Sequence, residues 1–205
     1  MNWHYFKESL IDLGCFTTHQ VYAWDPEFDR NNLARWTRKG YLLRLRRGMY
    51  AFADYKDDPE MALYFAGKIY RPSYISLHTA LSSYGLIPEA VVQITSVTPL
   101  KTAFFSNSFG EYSYRSVRED LMFGYEPRQL ANNRSIFHAT MEKALLDLLY
   151  LYPFYSTEKD LVDLRLDQDV LQQDIDLARW DSYCGLFRSA ALKARADLLR
   201  KVYEL

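Results

Sequence analysis

The sequence predicts an α+β fold, with helices at both ends of the chain and a run of strands between them. Three observations carry this reading. Apolar residues recur at three- and four-residue spacing over the first 39 positions; they alternate with polar ones between turn signals from 91 to 117; from Thr157 onward the pattern is again helical, and polar. At 205 residues, 49% of them hydrophobic, the chain can bury a core, and disorder is not expected. A net charge of -1 argues against coating nucleic acid or membrane with the whole surface, so an anionic partner meets a patch. Cys15 and Cys184 stand in no metal-ligand spacing and read as reduced thiols. No basic segment followed by an apolar one opens the chain, and no run approaches the ~18 apolar residues of a membrane span, so a cytoplasmic protein is expected.

In order, Trp3, Phe6, Leu10 and Leu13 fall on one helical face, with Gly14 as the stop. Thr17 or Thr18 can cap a short second helix through Val21, Tyr22 and Trp24, which Asp25-Pro26 ends. Asp29 can cap a third, with Leu33 and Trp36 on one side and Asn31, Arg35, Arg38 and Lys39 on the other. Gly40 closes it, being able to take positive φ without a Cβ penalty. Leu43 and Leu45 then alternate with Arg44 and Arg46, a strand with leucines toward the core and arginines in solvent. Arg47-Gly48 is a turn, and 49 to 52 returns as a second strand.

Three helices and a hairpin in about 52 residues have the size of a winged helix-turn-helix, whose third helix enters the DNA major groove while the wing lies along the backbone. The charge agrees. Between Arg30 and Arg47 there are seven basic residues and no acid. The expected DNA-binding residues are Arg30, Asn31, Asn32, Arg35, Arg38, Lys39, Arg44, Arg46 and Arg47. Asn31, Asn32 and Arg35 are placed near base edges, where Asn suits adenine and Arg suits guanine. Arg38, Lys39, Arg44, Arg46 and Arg47 are placed on phosphates.

Asp58 and Pro59 start a further helix carrying Met61, Phe65 and Ile69, broken at Arg71-Pro72. Ser76 can cap the next, with Leu77, Ala80, Leu81 and Tyr84 at helical spacing. Strands are expected at 91–97, 102–106, 111–117 and 135–139, the second and third joined by an Asn-Ser-Phe-Gly turn. The helix from Met141 to Tyr152 has leucines nearly all round and belongs at the centre of this part. Residues 158 to 176 hold seven acids against two bases, and 186 to 205 form a final helix. This tail either packs on the part before it or offers a surface to a partner. Three units result: 1–54, 55–156 and 157–205.

Glu142, Lys143 and Asp147 invite comparison with metal-assisted phosphodiester cleavage. Adjacent residues diverge by ~100° on a helix, however, and an acid in the first turn is expected from the helix dipole. His4, His19, His78 and His138 have no second ligand at metal spacing. The many tyrosines and phenylalanines, such as Tyr64, Phe65 and Tyr84, fall at core spacing. There is no G-x-G-x-x-G, P-loop or nucleophile elbow, and no catalytic residue, metal or cofactor is expected.

Four stretches together resemble the AbiEi family of antitoxin-type regulators from type IV toxin-antitoxin systems. They are KGYLLRLRRGMYAF ending at Phe52, YISLHTALSSYGLIPE at 74–89, VVQITSVTP with the later FGEYSYRSV and LMFGY, and IFHATMEKALLDLLYL at 136–151. Where that family has proline before the Glu-Lys pair, this chain has Met141. The resemblance implies an N-terminal winged helix-turn-helix, a mixed α/β antitoxin-like domain and a helical C-terminal tail. It further implies binding to double-stranded DNA at inverted repeats in the protein's own promoter, autoregulation and a part in phage defence. The implied second partner is a cognate nucleotidyltransferase-like toxin, countered without need of a stable complex. No membrane partner is expected, and the protein is a monomer or a dimer in solution. Two rival readings are a stand-alone winged-helix transcription factor with a ligand-sensing domain and a DNA-processing nuclease.

Overall fold

A computed structural model describes residues 1–88 and 92–205. Glu89 and Val91, at the ends of two of the family-like stretches, lie outside the described residues. Helix α1 (Trp3–Leu10) continues as a 3-10 turn to Leu13 and stops at Gly14, whose φ of 72° favours glycine. Strand β1 (Cys15–Thr17) comes next, and Thr17 caps α2 (Thr18–Trp24) in a reciprocal box with Gln20. Helix α3 (Asn31–Arg38) leads through Gly40 into the hairpin of β2 (Leu42–Arg46) and β3 (Met49–Phe52). The hairpin is joined by β1 in a three-stranded sheet of order β1-β3-β2, all antiparallel.

Both faces of this small sheet are buried. Phe16, Leu42 and Phe52 pack with Phe6, Val21, Leu33 and Trp36 of the helices on one side. Cys15, Leu45, Met49 and Ala51 pack on the other, against Met61 and Phe65 of α4 (Pro59–Ile69) and against Tyr112 and Tyr114. The winged helix therefore shares a hydrophobic core with the middle of the chain, and Asn107 Nδ2 also donates to Leu45 O across the seam at 3.2 Å.

Beyond α4, which starts at Pro59 with Asp58 as cap, six strands form the larger sheet. They are β4 (Tyr74–Ile75), β5 (Gln93–Thr98), β6 (Ala103–Asn107), β7 (Gly110–Ser116), β8 (Tyr125–Gln129) and β9 (Ser135–Ala139). Their order is β6-β7-β5-β4-β9-β8, parallel at β5–β7 and β4–β9 and antiparallel elsewhere. The β6–β7 hairpin is as expected from its turn. Sheet residues Ile75, Tyr112, Tyr114 and Ile136 face α4, while Tyr74, Val97 and Ala139 face α5 (Leu77–Ser83) and α6 (Met141–Leu151).

Helix α6 is the buried centre. Every residue from Met141 to Leu149 is buried, and Thr140 caps it by accepting from Lys143 N, so methionine at its first position does no harm. The tail packs around this helix as α7 (Glu158–Val162), α8 (Gln168–Asp174), α9 (Leu177–Leu186) and α10 (Ala190–Val202). Leu161, Leu171, Trp180, Leu192 and Leu199 insert into the same core. The last helix starts at Ala190, later than periodicity suggests, because Ser189 provides the cap. One expected cap is used differently. Ser76 precedes α5, but its hydroxyl makes no cap bond and donates instead to Asp147.

Candidate nucleic-acid interface

Helix α3 is held by its aromatic underside. The Trp36 ring lies 4.6 Å from Phe6, 5.1 Å from Trp3 and 6.0 Å from Phe28, centroid to centroid. Such a cluster fixes the rotation of a two-turn helix that could not hold itself in water. At its start, the Asp29 carboxylate accepts from Asn31 N at 2.9 Å, so the expected cap acts from one residue before the cap position, which Arg30 occupies without a side-chain bond. At its end, Tyr41 N donates to Trp36 O and Gly40 adopts φ of 74°. That turn aims the chain into the wing.

The remaining face is polar. Arg30, Asn31, Arg35, Arg38 and Lys39 are exposed on the helix, and Arg44, Arg46 and Arg47 on the wing. Among the described residues, none of these seven cations lies in an ion pair. Gly48 turns the wing at φ of 74°, and Thr18 N donates to Gly48 O at 3.0 Å, tying the wing tip to the start of α2. Arg44 and Arg46, two apart on the strand, both keep solvent while Leu45 goes to the core, and the pairing register shifts between them.

Asn32 is placed otherwise than the sequence suggests. It is only 4% exposed, and its Oδ1 accepts from a guanidinium nitrogen of Arg35. It sits four residues before Trp36, on the same helical stripe, so its side chain turns inward. Its amide holds Arg35 from the inner side of the helix. The Asn32→Ala variant should fold normally yet lose ~1 kcal/mol of discrimination between operator and random DNA through a loosened Arg35. Competition binding measures this, and an unchanged ratio would show Arg35 needs no such support.

The residues weighed for phosphodiester chemistry are not brought to a surface. Asp147 and Lys143 are fully buried and bonded to each other. Tyr74 and Ser76 hydroxyls also donate to Asp147, each at 2.8 Å. Burial pushes the Lys143 ammonium down and the Asp147 carboxyl up, while each charge opposes the other's shift. Phe123 and Phe187 rings lie 4.6 Å from the ammonium. Glu142 is buried too and accepts from Asp176 N, fastening the start of α9. His138 is buried beside Ser83, and desolvation lowers its pKa. Cys15 is buried, its thiol pushed up to about 11, which marks a packing residue and an unreactive one.

A short helix seated on an aromatic core, presenting an exposed cationic face beside an arginine-rich hairpin, has the arrangement of a winged helix-turn-helix. Residues 7–53 match a family model described as "Transcriptional regulator, AbiEi antitoxin". The match runs from within α1 to just past β3, so the likeness to that family is shown for this part of the chain. A search of curated proteins found no match.

Proposed function

We propose that this protein is a DNA-binding transcriptional regulator that serves as the antitoxin of a type IV toxin-antitoxin system. Residues 1–54 grip inverted repeats in the promoter of its own operon, and 55–156 with the tail at 157–205 oppose a nucleotidyltransferase-like toxin. The observation that supports this best is the exposed set of seven cations on α3 and the wing, none of them in an ion pair among the described residues. With so few acids nearby, the field of this face attracts phosphate although the whole chain is slightly acidic. Phosphate contacts from Arg38, Lys39, Arg44, Arg46 and Arg47 set the register, and Asn31 and Arg35 read bases. Arg30, at the start of α3, adds a further phosphate contact.

The experiment is genetic. The chain is expressed with the adjacent gene's product and with a reporter fused to the upstream promoter. Repression of the reporter together with rescue of growth supports both activities. Repression without a toxic neighbour would leave a transcription factor and remove the antitoxin reading.

A further inference from the structure

A cavity of about 350 Å³ opens between the C-terminal end of α4 and the β4–β9 part of the large sheet. That volume lies within the range of ~300–1,000 Å³ usual for small-molecule sites. Its lining has two characters. Lys68 and Arg71 supply positive charge on the α4 side, with Tyr64 beside them, while Tyr125 and Phe137 supply ring surface on the sheet side. Ser96 and Ser135 contribute to the same wall. Neither Lys68 nor Arg71 is in an ion pair among the described residues. The Lys68 ammonium rests 4.5 Å over the Tyr64 ring, and Arg71 Nε donates to Gly67 O at 2.9 Å, which leaves its terminal nitrogens available. Tyr125 is fixed by stacking on Tyr74 at 4.5 Å and 17°, with Phe137 edge-on at 5.4 Å.

The same three α4-side residues, Tyr64, Lys68 and Arg71, border a second cleft of about 460 Å³. Its far wall belongs to the winged helix, at Cys15, Thr17, Gln20 and Met49. Asp12 also lines it.

We propose that this junction binds a nucleoside phosphate, with the base against the aromatic wall and the phosphates over Lys68 and Arg71. Each half of the ligand answers one half of the lining. Every base has a π-face that stacks on rings without regard to sequence, and phosphate oxygens are the acceptors that a guanidinium and an ammonium hold most firmly. A purely apolar ligand would leave two cations desolvated and uncompensated. A bare phosphate would leave the rings idle. The site does not depend on the antitoxin reading, because none of Lys68, Arg71, Tyr125 and Phe137 belongs to α3 or the wing.

The test is calorimetric titration of the full chain with ATP, GTP, AMP, adenosine and inorganic pyrophosphate. Expected is saturable binding of a nucleotide, at least tenfold tighter than adenosine or pyrophosphate. Lys68→Gln and Arg71→Gln should each weaken it about tenfold, Phe137→Ala several-fold, and the control Lys193→Gln not at all. Arg71 and Phe137 are exposed, so these variants should fold, and thermal melting verifies it. Absence of nucleotide binding, or binding indifferent to Lys68 and Arg71, overturns the proposal. So does pyrophosphate binding as tightly as a nucleotide. Weaker DNA retardation by the Gln variants with no nucleotide bound would assign these cations to DNA and likewise overturn it.

Discussion

Replacing Arg46 and Arg47 together with alanine should weaken binding to promoter DNA by about 10- to 100-fold at moderate salt, since charge-assisted contacts are worth ~1.5–3 kcal/mol before the loss is shared with solvent. The loss should be similar on operator and on unrelated duplex, because phosphate contacts carry no sequence. The salt dependence should flatten by about 0.9 per phosphate contact removed. Both side chains are exposed, so stability should hardly move. Arg35→Ala should behave differently, with discrimination falling by ~1–3 kcal/mol at one base position while non-specific affinity is largely kept. Anisotropy titrations at several salt concentrations separate the two. An unchanged slope for the Arg46/Arg47 variant would remove the wing from the interface.

The second large effect lies in the core around α6. Asp147→Ala should destabilise the protein by ~3–5 kcal/mol, because the Lys143 ammonium would remain buried without its counter-charge. The hydroxyls of Tyr74 and Ser76 would lose their acceptor as well. Against a total stability of ~5–15 kcal/mol, that threatens the whole second core. Lys143→Met with Asp147→Leu should cost less than Asp147→Ala alone, since an apolar pair leaves no uncompensated charge. Chemical denaturation of the three proteins completes the comparison. Near-wild-type stability of Asp147→Ala would mean that water reaches the pair. The pair also explains why Glu142, Lys143 and Asp147 do not form a cleavage site. Their side chains hold β4, α6 and α9 together from inside.

What the residues announced in advance was chiefly local. A threonine cap at 17 or 18, Asp58 with Pro59 and Gly40 are signals that act within four residues, and Thr17, Asp58 and Gly40 each sit where that chemistry places them; the reciprocal bond from Gln20 comes from the structure alone. Helix α6 was legible because leucines surround it. Strand β1 was not, being three residues whose partners, Met49 to Ala51, come more than thirty positions later. Strand β8 was hidden for another reason. It is mostly exposed and carries Pro127, so it shows neither alternation nor strand propensity, and only pairing with β9 makes it a strand.

The exposed basic face was legible in charge and less so in direction. Eight of the polar positions on α3 and the wing reach solvent, but Asn32 does not. Its spacing of four from Trp36 was the available signal, and its amide polarity concealed it. The second buried face of the wing sheet was hidden in the same way. Leu43 and Leu45 promised one apolar side, whereas Leu42 and Leu45 serve two cores because the sheet is covered from both directions. The cavity beside Lys68 and Arg71 could not be foreseen, since its walls come from segments some sixty positions apart that only the six-stranded sheet assembles.

The most direct measurement is equilibrium binding of the purified full chain to a duplex carrying its own upstream promoter, monitored from low to moderate ionic strength. Tight retardation at low salt, with affinity falling steeply as salt rises and exceeding that for scrambled duplex, is the predicted result. A chain that leaves this duplex unshifted at low ionic strength would contradict the assignment of α3 and the wing to DNA.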